Sequence, residues 1–296
     1  MNILTFDLEE WFHLLDHPTT KSPKNWSKFE SRIDINVERI LDMLEMTNTS
    51  ATFFCLGWLA EKYPYLIKNI SNKGFHIACH SHTHQLAYHH TRKEFTEDLL
   101  NAKATIENII GKKVDTYRIP GFSLIEDNLW ALDILAENGF NIDCSIFPAS
   151  RSHGGLPNFK NNGPTVIKLG NGKTIKELPL NTKNILGKKM VFSGGGYFRL
   201  IPYVVLKNLF KRSNYVMTYF HPRDFDAEQP VIKDLGLVRK FKSYYGLSSA
   251  QDKLEKLLKD FDFIDVRTAV DNINWSIKPE CTLAQLSNTN EPSMKL

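Results

Sequence analysis

The feature that most constrains the fold is a regular alternation of short apolar runs and amphipathic segments along the first half of the chain. Apolar runs of this kind predict buried strands, and apolar residues that recur about every 3.6 residues predict helices. The predicted order is strand 3–6, helix 35–46, strand 51–56, helix 60–70, strand 74–79, helix 91–110, strand 114–117, helix 128–137 and strand 140–143. This alternation predicts a parallel sheet closed into a barrel with one functional face.

The second half of the chain is less regular. Its pattern predicts a long loop at 149–164, a β-pair at 165–167 and 175–178, a basic amphipathic helix at 200–212, a strand at 215–220, a basic loop at 223–246, a helix at 249–261 and a last strand at 263–266. From about residue 275 the chain is polar and aperiodic. We therefore predict one α/β domain at 1–275 with irregular C-terminal additions, followed by a polar tail at 276–296.

Composition and charge narrow the class of protein. The net charge of +4 is too small an excess to predict nucleic-acid binding. The four cysteines show no paired spacing, which favours free thiols and a reducing compartment. Residues 1–6 lack the basic and long apolar regions of a signal peptide, and no apolar run has the length of a membrane span. These features predict a cytoplasmic protein.

Ionisable residues follow the predicted strands where each strand ends. Asp7 and Glu9 point the same way after the first strand, while Glu10 points to the opposite side. His80 and His84 are four residues apart and share a face, which is the spacing that suits a transition metal. A solvated histidine-rich turn is an equal alternative on spacing alone. Other strand ends carry Arg118, Asp143 and His221. Their recurrence at successive strand ends favours one shared catalytic face.

This ordered set of motifs resembles the NodB-homology polysaccharide deacetylases, the carbohydrate esterase family 4 (CE4) type. More narrowly, it is similar to the subfamily of exopolysaccharide loci that has an extended C-terminal half. The resemblance covers about residues 3–270 and rests on the stretches 6–13, His80-Ser81-His82-Thr83-His84, Arg118-Ile119-Pro120, Asp143, 195–199 and Tyr219-Phe220-His221-Pro222. One departure is that the family opens with two adjacent aspartates, whereas here the acids are separated as Asp7-Leu8-Glu9.

The resemblance implies a deformed (β/α)7 barrel and a single bound divalent metal, with Zn²⁺ expected and Fe²⁺ or Co²⁺ as alternatives. The implied ligands are Glu9, His80 and His84. The implied catalytic residues are Asp7 as base, His221 as acid, Arg118 to orient the base and Asp143 to pair with His221. Because His82 fills the variable position of the motif, we predict a helical turn at 80–84 in which His82 points away from the metal.

The resemblance further implies an N-acetylated sugar, oligosaccharide or glycan precursor as substrate, in the biosynthesis of exopolysaccharide, capsule or O-antigen. The absent signal peptide favours action inside the cell on a nucleotide- or lipid-linked precursor. The basic helix at 200–212 could contact the inner face of the membrane. We favour the alternative prediction that it packs against the outside of the barrel. The oligomeric state is open. Two other functions compete: hydrolysis of cyclic amides, as in allantoinases or imidases, and glycan binding by a non-catalytic pseudoenzyme.

Overall fold

The computed structural model describes residues 1–15, 17–185, 188–232 and 234–287. The strands are β1 (Asn2–Ile3), β2 (Thr5–Leu8), β3 (Thr52–Cys55), β4 (His76–Cys79), β5 (Thr116–Tyr117), β6 (Ile142–Asp143), β7 (Thr165–Lys168), β8 (Thr174–Glu177), β9 (Lys183–Ile185), β10 (Lys188–Met190), β11 (Val216–Met217) and β12 (Glu280–Thr282). The α-helices are α1 (Ile33–Met46), α2 (Gly57–Lys62), α3 (Pro64–Asn72), α4 (Arg92–Ile110), α5 (Trp130–Glu137), α6 (Gly195–Leu200), α7 (Tyr203–Lys211), α8 (Leu237–Tyr244), α9 (Ala250–Asp260), α10 (Val266–Asn272) and α11 (Leu283–Leu286). Short 3₁₀ helices lie at Pro23–Lys28, Ala87–His89, Pro120–Phe122, Glu126–Asn128, Pro222–Phe225, Leu247–Ser249 and Trp275–Ile277.

The main sheet has the strand order β12-β7-β8-β6-β5-β4-β3-β2. Neighbours in the order β8-β6-β5-β4-β3-β2 are all parallel, whereas β7 runs antiparallel to β8 in a hairpin and β12 pairs in parallel with β7. On the other side of the first strand, β1 pairs in parallel with β11, and Phe6 forms a further parallel bridge with Phe220. The segment of β1 and β2 therefore has parallel neighbours on both sides. This pairing curves the sheet towards closure and confirms the deformed (β/α)7 barrel.

The gap between β8 and β11 is filled by an irregular segment instead of a full strand. Leu180 donates its N–H to the carbonyl of Ile146, and the Asn181 side chain accepts from the N–H of Met217. Tyr219 donates its N–H to the carbonyl of Ser193 on the far side. Single hydrogen bonds thus replace a regular ladder here, and this is where the barrel is deformed.

The strands β2 and β3 are buried on both faces, which explains why their sequences are apolar runs. Every residue of β2 and β3 is buried. The helices pack outside these strands. The ends of α4 lie at residues whose capping pattern is visible in the sequence. It begins after Thr91, whose side chain forms a reciprocal capping box with Glu94, and it ends at Gly111 in the left-handed region. Within the described ranges, every helix is too short or too polar to span a bilayer.

Four predictions about elements were wrong. The last strand predicted at 263–266 is a single bridge between Ile264 and Ile3, and α10 begins at Val266. The helix predicted at 60–70 is two helices, α2 and α3, because Pro64 cannot donate the hydrogen bond that would continue the first one. The basic loop predicted at 223–246 contains α8, whose last carbonyls accept hydrogen bonds from the distant Arg199 side chain. The polar tail predicted at 276–296 contains β12, which pairs with β7, and α11, whose Leu286 is buried. Residues 288–296 of that tail lie outside the described residues.

Candidate active site

Glu9, His80 and His84 direct three side-chain atoms to one point beyond the carboxyl ends of β2 and β4. Oε1 of Glu9 lies 2.8 Å from Nε2 of His84 and 3.3 Å from Nε2 of His80. All three residues are buried. The Nδ1–H of His80 donates to the carbonyl oxygen of Arg118 at 2.8 Å, which leaves the Nε2 lone pair facing Glu9. Two imidazoles and one carboxylate in this arrangement suit Zn²⁺ or Fe²⁺, so these residues could hold a divalent metal.

The charge on Glu9 fits such a site. Burial alone would raise the pKa of Glu9, but the neighbouring imidazoles of His84, His221 and His80 hold it well below its ordinary value. The carboxylate is therefore ionised at neutral pH, which is the state required of a metal ligand.

The segment between the two imidazoles is a bend and not the predicted helical turn. Ser81 and His84 have φ of 71° and 51°, in the left-handed region. The carboxylate of Asp98, on α4, accepts hydrogen bonds from the backbone N–H of His82 at 2.7 Å and of Thr83 at 3.0 Å. Because a side chain from another helix holds these N–H groups, the segment does not need helical hydrogen bonds of its own.

His82 points away from Glu9, as predicted. Its Nε2 lies 3.7 Å from the carboxylate of Glu61 on α2. Gly57 leaves room for this ring, because a Cβ at Gly57 would lie only 2.3 Å from Nδ1 of His82. The three histidines of the motif are therefore divided, with two at the metal-binding cluster and one against α2.

Asp7 and Arg118 form a buried ion pair beside the metal-binding cluster. Nη1 of Arg118 donates to Oδ1 of Asp7 at 2.6 Å and to the hydroxyl of Thr5 at 2.8 Å. Nε of Arg118 donates to the carbonyl of Cys144, and the guanidinium stacks 4.0 Å from the ring centre of Phe54. Since Arg118 is held on several sides, Oδ1 of Asp7 is fixed and Oδ2 faces His221, whose Nε2 lies 3.9 Å away.

His221 faces Asp7 and Glu9 with Nε2 and is held from behind at Nδ1. The Nδ1–H donates to Oδ2 of Asp224 at 3.0 Å, and the backbone N–H of His221 donates to the same oxygen at 3.0 Å. Burial alone would lower the pKa of His221, but the carboxylates of Glu9, Asp224 and Asp7 raise it to about 9. The imidazole is therefore protonated at neutral pH.

Arg199 in turn holds Asp224. Its Nε lies 3.3 Å from Oδ1 of Asp224, while its other nitrogens bind the carbonyls at the end of α8. Burial would raise the pKa of Asp224, but His221 and Arg199 lower it to about 2. Arg199, Asp224 and His221 thus form a chain of charges that ends at the active site.

The predicted pairing of Asp143 with His221 is wrong, because Asp224 occupies that position. Asp143 is buried behind Arg118, where its Oδ1 accepts from the Ser145 hydroxyl at 2.5 Å, and that hydroxyl accepts from the N–H of Ile119 at 2.8 Å. Burial raises the pKa of Asp143, and burial with the adjacent Asp143 raises the pKa of Glu177 well above its ordinary value. Burial and the adjacent Asp143 therefore favour the protonated form of Glu177, while Asp143 supports the backbone next to Arg118 through Ser145.

The local sequence indicates a partner role for Asp224, whereas Arg199 was indicated only as part of the stretch 195–199 that carries the resemblance. Asp224 comes three residues after His221 and two after Pro222, which is the spacing of a capping box at the start of a short helix. No local pattern links Arg199 to a residue 25 positions later. Glu10 is buried and has a structural role, since its Oε2 accepts from the N–H of Arg32 just before α1.

Two families match successive parts of the chain. Residues 18–141 match the family described as polysaccharide deacetylase, and residues 144–271 match a domain of unknown function, DUF3473. Residues 18–141 are thus similar to the polysaccharide deacetylases, and each of the two matches covers less than half of the chain.

Curated relatives match this chain over only part of their own length. Two peptidoglycan-N-acetylglucosamine deacetylases of Bacillus cereus are 31% and 29% identical over 96 and 103 residues, which are 32% and 35% of this chain. The same alignments cover 35% and 38% of the relatives. The chain therefore spans little more than a third of the length of the curated relatives that it matches.

Solved structures share the fold over nearly the whole chain. A proposed polysaccharide deacetylase from Mycobacterium smegmatis has a TM-score of 0.63 at 18% identity, covering 94% of this chain and 91% of that chain. A CE4 family pseudoenzyme from Bacillus anthracis has a TM-score of 0.51 at 13% identity, covering 95% of this chain and 69% of that chain. Because this fold is also found in a pseudoenzyme, activity has to be argued from the site residues.

Both matched regions contribute residues to the candidate site. His80, His84 and Arg118 lie in the region that matches the polysaccharide deacetylases. His221 and its partner Asp224 lie in the region of unknown function. Asp7 and Glu9 precede both regions, at the end of the first barrel strand. A single barrel brings Asp7, Glu9, His84, His221 and Asp224 to one open pocket of about 220 Å³. The buried His80 and Arg118 contact its lining residues Glu9 and Asp7.

Proposed function

We propose that this chain is a metal-dependent carbohydrate N-deacetylase, a hydrolase that removes the N-acetyl group from a sugar residue. The observation that carries the proposal is the convergence of three groups: a cluster fit to bind a metal, an oriented carboxylate and a protonated imidazole. Nε2 of His221 lies 3.9 Å from Oδ2 of Asp7 and 3.8 Å from Oε1 of Glu9. The polysaccharide deacetylase match and the names of the curated relatives support the same reaction.

Glu9, His80 and His84 would hold the metal. Their donor atoms lie within 4.8 Å of one another, and Nε2 of His84 is buried without a hydrogen-bond partner in the described residues. An ion would satisfy that nitrogen. When bound, the metal supplies Lewis-acid polarisation of the acetamide carbonyl.

Asp7 would act as general base. Arg118 holds Oδ1 at 2.6 Å, so that Oδ2 is the oxygen available to accept a proton from the attacking water. The water oxygen forms a bond to the carbonyl carbon as its proton moves to Asp7. This assignment separates the roles of the two acids, with Asp7 as base and Glu9 as ligand.

His221 would act as general acid. The carbon–nitrogen bond breaks as Nε2 of His221 gives its proton to the leaving nitrogen, which yields acetate and a sugar amine. Asp224 is a positioning residue, because it fixes the ring through Nδ1 and stabilises its charge. Arg118 and Asp143 would act on the base side, since Asp143 supports the backbone beside Arg118 through Ser145.

The setting of the reaction is also part of the proposal. We place the enzyme in the cytoplasm, on a nucleotide- or lipid-linked precursor of a surface polysaccharide. Free cysteines support a reducing compartment, and three of the four are buried. Peripheral membrane contact would involve α7, whose Val204 is exposed, although Leu206 and Phe210 on the same helix are buried against the fold.

The proposal is tested by measuring acetate release from N-acetylated sugars, nucleotide sugars and oligosaccharides, with and without a chelator. We expect release from at least one class, loss of release on chelation and recovery on adding Zn²⁺. His80→Ala should lose both bound metal and activity. His82→Ala is the matched control, because His82 lies in the same bend but faces Glu61, and it should keep both. Activity that survives complete metal removal would contradict the mechanism.

A further inference from the structure

We propose that the active-site pocket recognises an oxyanion on the sugar substrate, a phosphate ester or a carboxylate, through the guanidinium of Arg151. The inference rests on the proposed function, because it names a property of the substrate that the same site would bind. Arg151 lines the pocket together with Asp7 and His221. The anion would therefore belong to the sugar that carries the acetamide or to its immediate neighbour.

The pocket carries more positive side chains than the catalytic arrangement uses. Its basic residues are Arg151, Arg199, Arg223, Arg239 and Lys242. Its carboxylates are Asp7, Glu9 and Asp224. Asp7 is engaged by Arg118, Asp224 by His221 and Arg199, and Glu9 by the two histidines of the metal-binding cluster. None of the three carboxylates forms an ion pair with Arg151 among the described residues.

Arg151 has a buried donor that the protein does not satisfy. Its Nη1 is buried and has no acceptor among the residues that the structure describes. Burial lowers the pKa of Arg151, and the nearby Arg239 lowers it further. A buried guanidinium N–H without an acceptor is unfavourable unless a ligand supplies the acceptor.

The position of Arg151 is built into the fold. Its guanidinium stacks between Phe122 and Phe147, with ring centres 5.3 Å and 5.0 Å away. Its backbone N–H donates to the carbonyl of Gly154, and Gly155 donates to the carbonyl of Phe122. The loop fits closely here, since a Cβ at Gly154, where φ is 137°, would lie 2.5 Å from the oxygen of Phe122. Arg151 is thus held in the pocket in the absence of a ligand.

The chemistry of these groups selects an oxyanion. A guanidinium offers a planar pair of N–H donors that matches two oxygens of a carboxylate or a phosphate. Lys242 lies on α8, at the pocket wall. A ligand that extends from Arg151 towards α8 would meet further positive charge, which suits a phosphate or diphosphate better than an isolated carboxylate.

The test is calorimetric binding to metal-loaded protein that carries Asp7→Asn to prevent turnover. The probes are N-acetylglucosamine 1-phosphate, a hyaluronan disaccharide with its carboxylate, and the neutral N,N′-diacetylchitobiose. Adding Arg151→Gln should weaken an anionic probe about ten- to a hundredfold, the loss expected when hydrogen bonds between charged groups are removed. Binding of the neutral probe should not change. Arg267→Gln is the matched control, because Arg267 is exposed on α10 and does not line the pocket.

The outcomes separate this inference from the proposed function. The inference is supported if the protein prefers the phosphate or the uronate probe and Arg151→Gln removes that preference. The preferred probe then identifies the anion, whether or not the wild type releases acetate. Equal binding of all three probes, or equal weakening of all three by Arg151→Gln, overturns the inference even if acetate is released. If Arg151→Gln does not fold, Arg151→Lys is read in the same way, since lysine keeps the charge but loses the paired donors.

Discussion

Asp224→Asn tests the positioning of the general acid. Asp224 is surrounded by donors: Oδ2 accepts from Nδ1 and the backbone N–H of His221, and Oδ1 lies 3.3 Å from Nε of Arg199. Asparagine has one oxygen and one NH₂ group, so one side must place a donor against a donor. The substitution also removes the negative charge that stabilises the imidazolium.

The expected size of the effect follows from these contacts. A hydrogen bond to a charged group is worth about 1.5–3 kcal/mol. Because each ~1.4 kcal/mol is a factor of ten in rate, we expect kcat for Asp224→Asn to fall about 10- to 150-fold. The Asp224 side chain lies behind His221 and is not a metal ligand, so KM and the bound metal should change little.

The assay compares kcat, KM and metal content of Asp224→Asn with those of Asp226→Asn. Asp226 follows the same 3₁₀ helix but pairs with Arg32 at 2.5 Å, so its loss should lower stability without the same loss of kcat. An Asp224→Asn enzyme with wild-type kcat would refute the positioning role. A loss of kcat that the Asp226→Asn enzyme reproduces would assign the effect to damage of the segment.

Three further predictions concern stability. The pKa of Glu177 is raised in the folded protein. The wild type should therefore lose stability relative to Glu177→Gln as pH rises above about 5, by at most about 1.4 kcal/mol per pH unit. If the free energies of unfolding in urea change in parallel for the two proteins between the ends of this pH range, the proton on Glu177 beside Asp143 is refuted. Thr91→Ala should lower the free energy of unfolding by about 1 kcal/mol through loss of the capping box of α4, measured by urea unfolding, and an unchanged midpoint would contradict this. Gly57→Ala should destabilise by about 1–3 kcal/mol, since the new Cβ would lie 2.8 Å from Cα of Ala102; an unchanged melting temperature would contradict the close packing.

The barrel and the residues at its strand ends could be predicted because both follow from local pattern and from one rule of parallel sheets. Apolar runs identified the strands, and the carboxyl ends of parallel strands meet on one face. Asp7, Glu9, His80 and His84 come directly after such runs, so their proximity followed from the order of elements. Arg118 was found in the same way, after β5.

The errors arose where distant residues decide local structure. The bend at 80–84 depends on the Asp98 carboxylate of α4, and α8 depends on Arg199, which binds its last carbonyls. The partner of His221 was sought at another strand end, Asp143, although the local Asp224 was three residues away. The edge strand β12 forms through backbone pairing with β7, which needs no apolar periodicity.

The central claim is that two acids separated by one residue have different roles, with Glu9 as metal ligand and Asp7 as base. The most direct test is the metal stoichiometry of Asp7→Asn and Glu9→Gln, measured by elemental analysis after loading with Zn²⁺ and gel filtration. We predict that Asp7→Asn keeps about one ion per chain and loses acetate release, whereas Glu9→Gln loses the ion as well. An Asp7→Asn protein without metal, or a Glu9→Gln protein that keeps both metal and activity, would contradict the account.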